Sequence, residues 1–309
     1  MTEGAAPVDL TIVVVTYNSQ STIRKCLESL VRYAPTRFSW RIVVVDNASR
    51  DASVEIVRTE FPGATVIANK DNLGFGVGNN IGMSAMPARY YYLHNADAYL
   101  QEAVLDDALL WLDAHRDVGI AGLPLVFPDG SPQSAAYPFS SARKWLLQEV
   151  GAGRLARAAL SHELGRKLLM PVLGRFGTTR RFAELHGSDP EQQIATGPIE
   201  GKTVDWVCGA ALILSADAHA RTNGFDPDIF LYGEDEDLCL RATASGARIV
   251  QLNTVPVIHD FGWGKTGKAS PVVKKLKYES MSYFVSKHFS RKPLSRAIMQ
   301  GILKLQSLR

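Results

Sequence analysis

TIVVVTYNS (residues 11–19) and RIVVVDNAS (residues 41–49) share one make-up: a β-branched apolar run that ends abruptly in small polar residues. Unbroken apolar character, rather than in–out alternation, marks a strand buried on both faces. Such strands belong to parallel sheets covered by helices, so Leu10–Thr16 and Arg41–Asp46 predict an α/β chain. The polar ends matter equally, because open parallel sheets bind their ligands beyond the carboxyl ends of the strands.

Working outward, Ser19–Tyr33 carries Ile23, Leu27, Leu30 and Val31 at helical spacing, and Ser49–Thr59 reads as a second helix. Ala64–Ala68 and Tyr90–His94 continue the strands, with a helix expected at Asn79–Met86 between them. After Gly122 the alternation stops: residues 124–140 are rich in Pro and Ser, and residues 141–185 read as helical and basic. Strand character returns over Val204–Leu214 and Ala247–Gln251, around helices at Ala216–Thr222 and Leu238–Ser245. The expected organisation is a first half-domain (1–123), a basic helical insertion (124–203), a second half of the same domain (204–262) and a basic helical tail (263–309). The fold class is thus a mostly parallel, doubly wound central sheet with a helical insertion and tail.

The net charge of +3 conceals an asymmetry. Residues 143–181 hold nine Lys/Arg against two Glu, and residues 265–309 eleven against one, so the remainder is acidic. Two basic segments on an acidic body point to an anionic partner such as a membrane surface or a phosphorylated substrate. Nucleic acid is disfavoured, because the aromatics form no stacking platform. No apolar run approaches a membrane span and no secretory layout is visible, so the expected location is cytoplasmic. Three cysteines without metal-ligand spacing read as reduced, buried thiols.

The chemistry-bearing residues cluster where strands end. Asp46 terminates a buried apolar strand and needs a partner there. The imide N–H of a uracil or thymine fits it, with Thr16 and Asn18 beside ribose or base. Asn47 and Ser49 also suit a turn and a helix cap. The run NLGFGVGNN (residues 72–80) is no dinucleotide fingerprint, since its spacing is G-x-G-x-G and it follows the third strand. Its glycines, Gly74 among them, permit close backbone approach. Asn95 and Asp97 lie one side-chain period apart, and Asp97 is placed to hold a divalent cation on a diphosphate. GEDEDLCLR (residues 233–241) sets four carboxylates in the first turn of a helix, where the helix dipole favours them. Crowding raises the pKa of at least one, which suits a general base. His259 is a late candidate metal ligand.

In this order, TIVVVTYNS, VVVDNAS, NLGFGVGNN, LHNAD and GEDEDLCLR before a late His resemble the family 2 glycosyltransferases of GT-A fold, and among them the bacterial rhamnosyltransferase type that builds O-antigen, capsule or cell-wall linkers. The resemblance spans roughly residues 9–125 and 200–262. It implies an inverting transfer from a nucleotide-sugar donor, dTDP-rhamnose first and UDP-sugars next, with Mg²⁺ or Mn²⁺. The acceptor would be a hydroxyl of a glycan or a polyprenyl-diphosphate-linked saccharide. Carried onto this sequence, Thr16, Asn18 and Asp46 hold the nucleoside, and Asn47, Gly74, Asn79 and Asn95 complete the nucleotide-sugar contacts. Asp97 ligates the metal with His259, although the first position of the family's D-x-D is Asn95 here. Asp235 is the base, Asp237 its alternate, and Glu234 contacts the acceptor. The basic segments would then lie against an anionic membrane at its inner face, with Leu276, Tyr283, Phe284, Phe289, Ile298 and Leu303 as the apolar side of the tail. A non-catalytic nucleotide-sugar or glycan binder is the competing reading, and it would not need the acidic cluster.

Overall fold

The computed structural model describes residues 8–149, 197–260 and 271–307. The basic stretch expected beyond Glu149 and the start of the expected basic tail, residues 261–270, lie outside the described residues. The described chain forms two compact units. One comprises residues up to Tyr137 together with 197–260, and the other residues 138–149 and 271–307.

In the first unit the chain runs β1 (Val8–Thr16), α1 (Ile23–Arg32), β2 (Trp40–Asp46), α2 (Ser53–Glu60), β3 (Thr65–Ala68), α3 (Gly74–Ala85) and β4 (Ala88–Asn95). It continues through β5 (Ala98–Tyr99), α4 (Leu105–Ala114), β6 (Val118–Gly122), β7 (Leu125–Val126), β8 (Pro132–Gln133) and β9 (Ala136–Tyr137). In the second unit, α5 covers Ala142–Glu149. Back in the first unit come β10 (Gly201–Thr203), β11 (Trp206–Val207), β12 (Ala211–Ser215), α6 (Ala216–Thr222), α7 (Glu234–Ala244), β13 (Arg248–Leu252) and β14 (Val257–His259). The second unit closes with α8 (Pro271–His288) and α9 (Pro293–Ser307).

Eight strands form the main sheet in the order β10-β13-β6-β12-β4-β1-β2-β3. β1 pairs parallel with β2 and β4, β2 with β3, and β13 with β6. β12 lies antiparallel between β4 and β6, and β10 antiparallel to β13. Strands β1 and β2 are buried along most of their length, as their unbroken apolar runs require. On α1 the inward face is Ile23, Cys26, Leu27 and Leu30, whereas Val31 is exposed.

The glycine run belongs to a helix from its first residue, not from Asn79. Glycine costs about 1 kcal/mol relative to alanine in a helix interior, so packing overrides propensity here. A Cβ on Gly78 would stand 2.8 Å from Val15 Cγ1, and one on Gly82 would fall on Val13. Bare backbone lets α3 lie flat on β1. The strand expected over Val204–Leu214 is broken at Cys208–Ala210, where the chain turns toward α7. Helix α4 and strand β6 are not anticipated from the sequence: Leu105, Ala108, Leu109 and Leu112 form a buried stripe among acidic residues.

Two small sheets carry the site: β5-β14-β7-β8, and the pair β9–β11. In the second unit Phe284, Phe289 and Leu303 are buried, so they form the inside of the helical unit rather than the lipid-facing side expected of the tail. Its outward apolar residues include Val272, Leu294 and Leu305. Among the described residues no helix is long and apolar enough to cross a membrane.

Candidate functional site

The carboxyl edge of the main sheet gathers the ends of β1, β2 and β4. Register pairs Thr16 with Asp46 and Val15 with Asn95. Asp46 and Asn95 therefore stand two strand spacings apart, about 10 Å.

Asp46 is 2% exposed, and only one of its oxygens has a partner: Oδ2 accepts from the Ser49 amide at 2.9 Å. Oδ1 is buried with no partner among the described residues, and so is the Thr16 hydroxyl on the adjacent strand. A buried orphan acceptor costs on the order of 1–3 kcal/mol, a cost that a donor supplied to this pair would relieve. The loops around it are laced together. Asn18 accepts from the Arg50 amide at 2.8 Å, Ser49 Oγ accepts from the Asn18 amide at 2.8 Å, and Ser53 Oγ accepts from the Ser19 amide at 2.8 Å. Asn18 and Ala48 both hold positive φ, 53° and 63°, a conformation that side chains disfavour and that surrounding structure must impose. Tyr17, given no role in the sequence reading, follows directly on β1 and is 49% exposed.

Three of the other expected contacts serve the scaffold. Asn47 donates to the Gly74 carbonyl at 2.9 Å and accepts from Asn69 at 2.9 Å, so both ends of its amide are used. Asn79 is 1% exposed and donates back to the Phe75 carbonyl at 3.0 Å. Gly74 has φ +83°, and a Cβ there would stand 2.5 Å from the Phe230 carbonyl oxygen, so only glycine fits.

Asn95, Asp97 and His259 come together. His259 is 3% exposed, at the end of β14. Its Nδ1 faces Gln133 Oε1 at 3.1 Å, and its Nε2 faces Asn95 Nδ2 at 3.3 Å and Asp97 Oδ1 at 3.4 Å. The amide oxygen of Gln133 can only accept and the amide nitrogen of Asn95 can only donate, so the network assigns the proton to Nδ1. Nε2 then accepts from the Asn95 amide and also lies 3.4 Å from Asp97 Oδ1. Two acceptors facing each other are what a cation would bridge, so the residues fit one. Among the described residues no group of three or more His, Cys, Asp and Glu is placed to hold a metal. A two-ligand site suits Mg²⁺ or Mn²⁺, which complete their shells with phosphate oxygens and water. Gln133 was not foreseen, because it lies remote in sequence and meets His259 only through the β5-β14-β7-β8 sheet.

The acidic run occupies the first turn of α7, entered through Tyr232 and Gly233, both at positive φ (69° and 94°). Asp237 is fully buried and ion-paired to Arg241, whose Nε donates to it at 2.7 Å. That pairing leaves it poorly suited as an alternate base. Asp235 differs. Its Oδ2 accepts from the Gly209 amide at 2.8 Å, and its Oδ1 has no partner among the described residues. Burial raises its pKa, opposed by the Gly209 hydrogen bond. Glu234 is raised further, by burial and then by the charge of Asp235. Two adjacent buried carboxylates cannot both ionise cheaply, so they retain a proton into the neutral range. The Asn95 amide donates to the Ala210 carbonyl at 3.0 Å, one residue after the Gly209 amide that holds Asp235, so the acidic turn and the Asn95–Asp97 strand end meet at one short segment. An unpaired, raised carboxylate oxygen near a cation-binding pair can take a proton from a hydroxyl group.

The profile described as Glycosyl transferase family 2 matches residues 11–165. The chain is 26% identical over 273 residues to the rhamnosyltransferase WbbL of Escherichia coli K12, covering 88% of this chain and 90% of that protein. It is 24% identical over 306 residues to an N-acetylglucosaminyl-diphospho-decaprenol L-rhamnosyltransferase of Mycobacterium tuberculosis, covering 96% and 91%. Among solved structures, the mannosyltransferase PcManGT of Pyrobaculum calidifontis, in complex with GDP-Man and Mn²⁺, superposes with a TM-score of 0.55 at 16% identity, covering 98% of this chain and 70% of that one. The fold is GT-A.

Proposed function

This chain belongs to glycosyl transferase family 2 and is a glycosyltransferase, and from that premise we propose that it transfers L-rhamnose from dTDP-rhamnose to a hydroxyl of a polyprenyl-diphosphate-linked saccharide, with inversion. The choice of sugar and acceptor leans on the two relatives named for rhamnosyl transfer, each matched along about nine-tenths of its length. The observation that carries donor binding is the orphan pair Asp46 Oδ1 and Thr16 Oγ1. An acceptor-only carboxylate there fits the imide N–H of a pyrimidine. Thymine and uracil share that group, so a UDP-sugar is the second reading.

In the proposed reaction Asp235 Oδ1 takes the proton of the acceptor hydroxyl. The acceptor oxygen forms its bond to the anomeric carbon as the bond from that carbon to the diphosphate oxygen breaks, and the electron pair leaves with the diphosphate. One base on one face gives inversion and needs no covalent intermediate. A divalent cation held by Asp97 and His259 would supply charge compensation for the departing diphosphate. Gln133 keeps the His259 Nε2 lone pair turned to that position.

A lipid-linked acceptor also gives the basic second unit a use. Val272, Leu294 and Leu305 are exposed on helices that carry Lys274, Lys275, Lys277, Arg296 and Lys304, a composition suited to an anionic bilayer. Flotation with phosphatidylglycerol liposomes at low salt tests this; protein left in the soluble fraction would refute it. For the donor, thermal shift with dTDP-, UDP- and GDP-sugars in the presence of Mn²⁺ is the test. Stabilisation by GDP-sugars alone would overturn the pyrimidine assignment.

A further inference from the structure

We propose that the stacked rings of Tyr137 and Trp206 seat the pyranose ring of the acceptor, so that its hydroxyl is presented to Asp235. This rests on Asp235 being the base.

The argument starts from strand register. In the β9–β11 pair, Trp206 lies opposite Tyr137 and Val207 opposite Ala136. Val207 and Ala136 are buried, and Val207 packs where Gly122 leaves room for it: a Cβ on Gly122 would stand 2.7 Å from the valine. Side chains alternate along a strand, so Trp206, Tyr137 and Cys208 share the opposite face. There the two rings stack, with centroids 4.4 Å apart and planes inclined by 22°. The Tyr137 hydroxyl donates to the Ser134 carbonyl at 2.6 Å, which fixes its ring. Both residues keep part of their surface in solvent.

Continuity with the base comes through the backbone. Three residues after Trp206, the Gly209 amide donates to Asp235 Oδ2 at 2.8 Å. Between them the Cys208 amide donates to the Ala135 carbonyl at 2.8 Å, which holds the segment against β9. One four-residue segment, Trp206–Gly209, thus carries an aromatic platform at one end and the hydrogen bond that holds the base at the other. A pyranose offers an apolar C–H face to an aromatic ring and hydroxyls at its rim, so it can lie on the stack with one hydroxyl toward the carboxylate. Glu234 and Asp235 beside it disfavour an anionic ring, so the acceptor sugar is a neutral or N-acetylated hexose rather than a uronic acid.

Two experiments on the full-length protein decide it. Hydroxyl-radical footprinting of the wild type, with dTDP bound, uses alkyl glycosides of N-acetylglucosamine, glucose and galactose as probes. At least one should protect Trp206 and Tyr137 beyond dTDP alone; protection by none of them overturns the proposal. In steady-state kinetics with the best acceptor, Trp206→Ala should raise the acceptor KM about fivefold to tenfold, with the donor KM unmoved and Trp206→Phe largely restoring it. An acceptor KM within twofold of wild type, or a parallel rise in the donor KM, also overturns it. If the wild type transfers sugar to none of the probes, the transfer reading fails for these acceptors while the footprint still decides the stack.

Discussion

The amide of Gly209 donates to Oδ2 of Asp235 at 2.8 Å, and a Cβ at position 209 would fall on Oδ1 of the same carboxylate. The missing side chain and the hydrogen bond act together: one clears the oxygen proposed to take the proton, and the other aims it. Gly209→Ala should therefore lower kcat by about a hundredfold, the scale expected when a catalytic group is misplaced by around an ångström. The affinity for nucleoside diphosphate, measured by calorimetry, should hold. Loss of nucleotide binding in step with kcat would show a general collapse of the site instead.

The raised carboxylates give two pH signatures of opposite use. A base must be ionised, so transfer should fall as pH drops through the Asp235 pKa of about 6, measured as the acid limb of kcat/KM. Stability runs the other way. In the unfolded chain Glu234 releases its proton near 4.5, whereas in the fold it holds it to about 8, so stability declines as pH rises through that window. Glu234→Gln should thus raise Tm at pH 8 and change it little at pH 4.5. Equal shifts at both pH values would contradict the buried-charge argument.

Asp46→Ala should weaken dTDP and UDP binding by about tenfold to a hundredfold, the range for losing a hydrogen bond to a charged group. Thr16→Val should weaken it less, because a neutral hydroxyl is lost. Titration calorimetry separates the two, and unchanged affinity in both variants would remove the strand-end pocket from donor binding.

Chelation with EDTA should abolish transfer and Mn²⁺ should restore it. Gln133→Leu leaves Asp97 and His259 in place but frees the imidazole to turn, so the Mn²⁺ concentration for half-maximal thermal stabilisation should rise about tenfold to a hundredfold. His259→Ala should remove that stabilisation. A Gln133→Leu response equal to wild type would dissociate the glutamine from the cation.

Gly82→Ala improves helix propensity yet drives a methyl into Val13. Overpacking of this kind costs about 1–3 kcal/mol, so a lower Tm is expected. A higher Tm would mean that α3 lifts off the sheet without penalty.

What the sequence displays of all this follows the range of the forces involved. β1, β2 and β4 are legible because burial on both faces writes an unbroken apolar run into each strand. Asp46, Asp97 and Asp235 stand out because charge at a strand end or helix start is conspicuous on its own. Gly209, Gln133 and the Trp206–Tyr137 stack are not legible in this way. Their meaning comes from partners 26, 126 and 69 residues distant, brought close only by the fold. The glycines of α3 mislead for a related reason: their role is set by Val13 and Val15 on another element, whereas propensity is local.

The central place of β12 has a consequence for how the molecule is made. β4 and β6 flank it on either side, so the sheet that the first 122 residues begin cannot close until residues 211–215 have been synthesised and threaded between them. Such pairing across long chain separations is slow, since loop-closure entropy is lost before contacts form. Because β12 begins two residues after Gly209, seating it also sets the Gly209 amide in the place where α7, later in the chain, meets it with Asp235. The nascent chain therefore holds its early strand ends in waiting, and the strand that bridges β4 and β6 also fixes the hydrogen-bond partner of Asp235, the proposed base.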